Sequence, residues 1–131
     1  IKLITLPYLN GSYRACDWTF GEKQVFDAGP EHFLSLIKNA SFVFTDSFHA
    51  TAFSILFEKK FIVFPYDSKN EQINRINSLL EISDCLERIN PPNALFNAKE
   101  IDDIFYRSKI NYQNIDKEIE KSKSFLLSSL K

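Results

Sequence analysis

The sequence is short of the residues that build the commonest cofactor sites. It has three glycines, at positions 11, 21 and 29. Neither the glycine-rich phosphate loop of a Walker-type site nor the Gly-x-Gly-x-x-Gly fingerprint of dinucleotide binding can be drawn from them. No Gly-x-Ser-x-Gly elbow surrounds Ser47. These absences disfavour an NAD site and a Walker-type ATP site, and we expect no cofactor.

Cysteine and histidine are equally scarce. Cys16 and Cys85 have no metal-ligand spacing and no companion histidine pair, so neither a disulfide framework nor a zinc site is indicated. No apolar run approaches the roughly 20 residues that cross a bilayer, and the N-terminus lacks the order of a signal peptide. We therefore expect a cytoplasmic protein with no membrane span.

Methionine is absent, and the chain opens inside an apolar run, at Ile1-Lys2-Leu3-Ile4. We therefore expect a fragment of a longer protein. Its 131 residues are enough for one domain with a core of its own. The 16 basic and 17 acidic residues nearly balance, so no global field attracts a polyanion and no nucleic-acid partner is expected.

Apolar runs alternate with helical patterns along the chain. The runs predict strands at 1–6, 25–26, 42–45 and 61–64. Helices are predicted to begin at Pro30, which suits a first helical position, and to span about 48–58, 73–80 and 111–130. Residues 83–99 are predicted to be irregular. Buried strands that alternate with helices imply an α/β fold with a parallel sheet and helices on both faces.

Ligands of open parallel sheets bind beyond the carboxyl ends of the strands, where helix N-termini carry partial positive charge. Three segments are predicted to reach that edge, namely 27–30, 45–51 and 65–75. The middle segment is the richest, because it combines Asp46, Ser47, His49 and Thr51. The hydroxyls and turn amides suit an anion, and His49 can donate a proton near neutral pH.

Structural interpretations of the same residues stay open. Asp46 or Ser47 is a helix cap by default, and His49 can be a satisfied structural histidine. His32 is read as an exposed helix residue. Arg75 either clamps a carboxylate or phosphate through paired hydrogen bonds or is a solvated surface arginine. The aromatic residues are interpreted as core rather than a sugar-stacking platform, with Tyr66 as the exception.

Two linked segments carry a resemblance to a known family. They read Gly-Pro-Glu-His-Phe-Leu from Gly29 and Thr-Asp-Ser-Phe-His from Thr45. With the 61–64 strand, the Asn74-Arg75-Ile76 segment and the final helix, they resemble the C-terminal domain of the polysaccharide pyruvyl transferase family. The resemblance covers most of residues 28–130.

The resemblance implies a two-domain enzyme similar in layout to GT-B glycosyltransferases. Such an enzyme moves pyruvate from phosphoenolpyruvate onto a hydroxyl or diol of a cell-surface polysaccharide. Residues 1–131 would be a single Rossmann-like domain, the later part of the C-terminal half, ending in the helix at about 111–130. Its partners would be phosphoenolpyruvate, a glycan acceptor and an N-terminal domain of the same protein. Strand edges exposed by truncation would also permit a homo-oligomer.

The resemblance also assigns roles to single residues. His49 would contact the donor as general acid or phosphate ligand, and Arg75 would pair with the donor's carboxylate or phosphate. Ser47, Thr51 and the turn amides would hold phosphate. Supporting positions are Asp46, Gly29 and Asn74. The family usually has glycine where this chain has Ala50, whose methyl group would crowd a phosphate that approaches the helix end.

Two other functions are kept as alternatives. One is a GT-B glycosyltransferase that uses a nucleotide sugar, since the architecture would be shared. Such an enzyme needs an acidic residue that binds the ribose hydroxyls of the nucleotide. The sequence offers no clear candidate for it after the 61–64 strand. The other is a non-catalytic binding or assembly module that keeps the fold.

Overall fold

The computed structural model describes residues 2–7, 20–65, 71–90 and 96–130. They form a mixed α/β structure with short parallel strand pairs and five α-helices. The elements are β1 (Ile4–Thr5), β2 (Lys23–Gln24), α1 (Pro30–Asn39), β3 (Phe42–Thr45), α2 (Phe48–Leu56), β4 (Lys60–Val63), α3 (Glu71–Ile82), a 3₁₀ turn (Leu86–Arg88), α4 (Ala98–Arg107) and α5 (Tyr112–Ser129). Two compact units, 1–36 and 37–131, divide the chain. The single-domain organisation stays a prediction.

The first unit contains β1 and β2, which pair in parallel with Ile4 opposite Lys23. The strand predicted at 25–26 is wrong, because the pairing falls two residues earlier and Val25 only donates its N–H to the Thr5 carbonyl at 2.9 Å. The entry into β2 needs a glycine. Gly21 has φ 86°, and a Cβ there would lie 3.1 Å from the Thr5 methyl, so a larger residue would be strained. The prediction that α1 begins at Pro30 is confirmed.

The second unit is built on a β3–α2–β4 crossover. Strands β3 and β4 pair in parallel over their full lengths, from Phe42 opposite Lys60 to Thr45 opposite Val63. A further parallel bridge joins Val63 to Ile89, so the chain returns beside β4 after α3. Both strands match their predictions to within one residue. The parallel pairing and the α/β class are confirmed, whereas a Rossmann-like sheet covered on both faces stays a prediction.

The core of this unit lies under α2 and α3. Its buried members are apolar side chains from α2, β4, α3 and the turn that follows: Ile55, Phe61, Val63, Ile76, Leu80 and Cys85. Four of them are fully shielded from solvent, and burying an aliphatic or aromatic side chain of this size contributes about 1.5–3 kcal/mol. This packing fixes the start of α2, because Phe48 and Val43 pack against the same cluster.

Helix α4 was missed, because part of it lies in the region predicted to be irregular. It begins with a capping box, in which Asn97 accepts from the Glu100 N–H at 3.0 Å and the Glu100 carboxylate accepts from the Asn97 N–H at 2.7 Å. The sequence carried that signal as Asn-x-x-Glu before an apolar helical pattern. The preceding proline pair, Pro91-Pro92, lies outside the described residues.

A buried arginine ties the 3₁₀ turn to the end of α4. Arg88 is 4% exposed and donates to the Ser108 hydroxyl at 3.1 Å and to its carbonyl at 2.6 Å. Its guanidinium also lies 4.6 Å from the Phe61 ring and 5.0 Å from the Phe105 ring. Burial lowers the pKa of Arg88, because the charged form loses its hydration.

The last helix, α5, is confirmed close to its predicted limits. Its first turn is anchored on the core, since the Tyr112 hydroxyl donates to the Ile55 carbonyl at 3.0 Å and Asn111 donates to Asp84 at 2.7 Å. Beyond that anchor the apolar side chains are exposed, among them Phe125, Leu126, Leu127 and Leu130. Among the helices described here, none combines the length and apolar character needed to span a membrane.

Candidate functional site

The turn between β3 and α2 is held by its own side chains. Thr45 ends β3, and its hydroxyl accepts from the Ser47 N–H at 2.9 Å. Ser47 has extended backbone angles, φ −90° and ψ 130°, and its hydroxyl accepts from the Ala50 N–H at 3.4 Å. These are the marks of an N-cap. Of the two predicted caps, Ser47 therefore fills the role, and Asp46 is left exposed beside it.

Two of the first four amides of α2 have an acceptor among the described residues, and two do not. The cap and the Ser47 carbonyl satisfy the N–H groups of Ala50 and Thr51. In the part of the chain that the structure describes, nothing accepts from the N–H groups of Phe48 and His49. Free amides and the positive end of a helix dipole favour a bound anion.

Thr51 supports this turn from inside. It is fully buried, and its hydroxyl donates to the Ser47 carbonyl at 2.9 Å. Direct phosphate contact by Thr51, as the resemblance implied, is therefore not what this geometry offers. The reason is helical periodicity, which turns the fourth residue after the cap toward the core rather than toward the exposed end.

His49 faces the exposed side of the helix end. Its ring lies 5.7 Å from the Phe48 ring at an interplanar angle of 81°. Within the described residues no hydrogen bond engages the imidazole nitrogens, so both are available to a ligand. The alternative of a structural histidine satisfied by the protein therefore finds no support in these contacts.

Arg75 comes to the same place from α3. Its guanidinium carbon lies 4.4 Å from the centre of the Phe48 ring, at the first residue of α2. The arginine side chain is exposed. The structure thus brings together Ser47, His49 and Arg75, three of the predicted site residues, around the start of one helix.

An open depression of about 460 Å³ lies at the carboxyl ends of β3 and β4. It is lined by Phe44, Thr45, Asp46, Phe64 and Pro65. The prediction that the aromatic residues are core is wrong for Phe44, which is 54% exposed. A run that is apolar on both faces cannot show which face the protein leaves uncovered. Phe44 stacks between Phe42 at 4.5 Å and Phe64 at 5.7 Å.

The remaining predicted positions are taken one by one. Gly29 precedes α1, in the first unit, and a side chain there would meet no atom within 4 Å, so space does not demand a glycine. His32 is exposed on α1, as predicted. Asn74 is exposed on α3, and its carbonyl accepts from Ser78 at 3.0 Å. Tyr66 lies outside the described residues. Among the described residues no group of histidine, cysteine, aspartate and glutamate is placed to hold a metal ion.

A model of one protein family matches this part of the chain. It is described as polysaccharide pyruvyl transferase, and it matches residues 17–68. The matched stretch runs from β2 to β4 and includes the whole Ser47 turn. The match supports the polysaccharide pyruvyl transferase family for this stretch of the chain. The family predicted from the Gly29 and Thr45 segments is thereby confirmed. No curated protein and no solved structure matches the chain.

At the position where the family usually has glycine, Ala50 is 5% exposed, so its methyl group is covered by the protein. Its N–H serves the Ser47 cap. We therefore expect the methyl group not to crowd an anion at the amides of Phe48 and His49.

Ser47 caps α2 and is also a candidate phosphate ligand. One substitution separates the two roles. Aspartate is as good an N-cap as serine, so S47D is expected to keep the free energy of unfolding within about 0.5 kcal/mol. The added carboxylate would repel an anion roughly 4 Å away by about 1 kcal/mol in water. We therefore expect about a fivefold weaker affinity for phosphoenolpyruvate.

Titration calorimetry and urea unfolding of S47D check the two halves of this prediction. S128D, on an exposed face of α5, is the matched control for an added charge. Equal affinity in S47D and the parent protein would mean that no anion binds at this turn.

Proposed function

We propose that this protein transfers a pyruvyl group from phosphoenolpyruvate to a hydroxyl or diol of a sugar acceptor, with the donor bound at the start of α2. The family supports pyruvyl transfer in general. The observation that carries the finer proposal is the convergence of the free amides, His49 and Arg75 at one helix end. Phosphoenolpyruvate has two anionic groups, a phosphate and a carboxylate, which this cluster suits.

The reaction asks for three things from the protein. A proton must reach the methylene carbon of the enol, a sugar oxygen must attack the adjacent carbon, and the bond from that carbon to the phosphate oxygen must break. A second sugar hydroxyl closes the ketal in the diol case. In that case one hydroxyl proton replaces the proton spent on the methylene and the other leaves with phosphate. With a single hydroxyl, the new methyl group gives its proton back as the carbon–carbon double bond re-forms, and the hydroxyl proton leaves with phosphate. Neither case needs an oxidant or a reductant.

The cluster is assigned to these steps by chemistry. His49 is the proposed general acid, because an exposed imidazole can carry a proton to the donor at neutral pH. Arg75 is the proposed partner of the carboxylate or phosphate, through paired charge-assisted hydrogen bonds. Ser47 and the amides of Phe48 and His49 are proposed to stabilise the charge that builds up as phosphate leaves.

The acceptor is proposed to lie in the neighbouring depression. Phe44 lines the depression and is 54% exposed, so it offers apolar surface to a pyranose ring, and the Asp46 carboxylate suits sugar hydroxyls as a hydrogen-bond acceptor. Thr45 and Asp46 directly precede Ser47, so a sugar held there would lie beside the proposed donor.

Replacing the Phe44 ring tests this placement. F44L keeps an apolar side chain but loses the flat ring face, and aromatic contacts of this kind contribute about 0.5–1.5 kcal/mol. We expect the KM for the acceptor to rise about two- to tenfold and the KM for phosphoenolpyruvate to stay unchanged. F125L, at an aromatic residue that is 70% exposed on α5, is the control. An unchanged acceptor KM in F44L would remove the acceptor from this depression.

Acceptor-dependent release of phosphate tests the proposed function as a whole. The full-length protein is mixed with phosphoenolpyruvate and a panel of glycans, and inorganic phosphate is followed with each glycan added or omitted. Release that needs both substrates is the expected result. Turnover of a nucleotide sugar in place of phosphoenolpyruvate would favour a glycosyltransferase, and no turnover of either would favour a binding module.

A further inference from the structure

Phe48 contacts both His49 and Arg75. The guanidinium of Arg75 lies 4.4 Å from the centre of its ring, and the His49 ring lies 5.7 Å from it, edge to face. The ring also packs against the hydrophobic core under α2 and α3. Sequence reasoning included Phe48 in the segment that carries the resemblance and in the helix predicted at about 48–58, and it gave this residue no role of its own. The signal it missed is an aromatic residue directly between the helix cap and the motif histidine.

The ring is held firmly enough to serve as a platform. Phe48 is the first residue of α2, so its backbone is fixed by the Ser47 cap immediately before it. Its side chain is half-buried against the core cluster. A core-packed phenylalanine has few rotamers to choose from. The face under Arg75 therefore has a fixed position relative to the free amides of the helix.

Arg75 reaches this ring from α3. Its side chain is exposed there, and its guanidinium lies against the Phe48 ring. A free arginine side chain loses rotamer entropy when a ligand fixes it. A guanidinium that already lies against a ring has lost part of that freedom beforehand, and its N–H groups can still donate to an anion.

We propose that Phe48 is a positioning residue, which holds the Arg75 guanidinium at the start of α2 so that it meets an anionic donor there. The inference rests on the proposed function, since the donor it serves is phosphoenolpyruvate. Phe48 does not touch the donor in this account. It acts through Arg75, and its contribution should therefore disappear when Arg75 is absent.

A double-mutant cycle on phosphoenolpyruvate affinity tests the inference. The full-length protein, F48L, R75A and the double variant are each titrated with phosphoenolpyruvate by calorimetry. We expect F48L to weaken binding about two- to fivefold, the range of an exposed cation–π contact. In the R75A background, F48L is expected to leave the affinity unchanged, because the free-energy changes caused by two substitutions do not add when one residue acts through the other. F48Y, which keeps the ring, is expected to bind phosphoenolpyruvate as tightly as the parent protein does.

Two controls separate positioning from loss of structure. F57L removes another ring of the same helix region, which stacks on Phe53 with ring centres 6.1 Å apart; it is expected to bind like the parent protein. The Nε–H proton signal of Arg75 in NMR spectra is expected upfield in the parent protein and to move downfield in F48L, because a proton above a ring is shielded by it.

The outcomes distinguish the inference from the function on which it rests. No binding of phosphoenolpyruvate to the parent protein would overturn both. Binding that R75A weakens but F48L leaves unchanged would overturn the positioning role alone. A loss in F48L that persists in the R75A background, or that F48Y fails to restore, would also overturn it, since Phe48 would then act on the fold rather than through Arg75.

Discussion

H49A is expected to lower kcat for pyruvyl transfer by about 10²- to 10⁴-fold, the range contributed by a positioned general acid. The proposed reaction has to protonate a carbon atom, and His49 supplies an exposed imidazole at the start of α2, the side-chain type that most often acts as a general acid. The substitution should leave the fold intact, because the imidazole is exposed and makes no hydrogen bond within the described residues. The measurement is steady-state phosphate release with saturating phosphoenolpyruvate and acceptor.

H32A is the matched control for this prediction. His32 is the other histidine of the sequence, and it is exposed on α1. H32A therefore also replaces an exposed histidine by alanine, but on a different helix. The unfolding midpoint of both variants is expected to equal that of the parent protein. If H49A kept the parent kcat, or if H32A lost as much, His49 would not be the acid.

R75A is expected to raise the KM for phosphoenolpyruvate about 10- to 100-fold. A hydrogen bond to a charged group contributes about 1.5–3 kcal/mol. A paired guanidinium–carboxylate contact belongs to the strong end of that class. R75K is expected to recover only part of the affinity, because an ammonium offers a point charge and not a planar fork. The KM for the acceptor should stay unchanged in both variants.

The control for R75A is R107A. Arg107 is also an exposed arginine on a helix, and it pairs with Glu87 at 3.4 Å, an exposed pair of the kind that contributes little to stability. We expect R107A to bind phosphoenolpyruvate as the parent protein does. Equal KM values for R75A and R107A would show that Arg75 is a solvated surface residue, the alternative that the sequence left open.

The β3–α2 turn was predictable because its signals are local. The apolar 42–45 run gives the strand, and serine after aspartate gives the cap within one turn of the helix. The same local signals predicted α1 and α5. Helix α4 had an equally local signal in its capping box, and it was overlooked because the prolines before it suggested an irregular segment.

Other features depend on contacts between distant parts of the chain. Nothing in the order of residues shows that the Arg75 guanidinium stacks on Phe48, since α3 reaches that ring only through its packing on α2. The burial of Thr51 and Ala50 depends equally on which face of α2 meets the core. The exposure of Phe44 depends on what the fold leaves uncovered, and a run that is apolar on both faces carries no such information.

Isothermal titration of phosphoenolpyruvate into the full-length protein, beside H49A, R75A and R107A, tests the central claim most directly. The account predicts binding to the parent protein and to R107A, weaker binding to R75A by about 10- to 100-fold, and a measurable loss in H49A with unchanged unfolding midpoints. Absence of binding to the parent protein, with a glycan acceptor present or omitted, would contradict the claim that the start of α2 holds this donor.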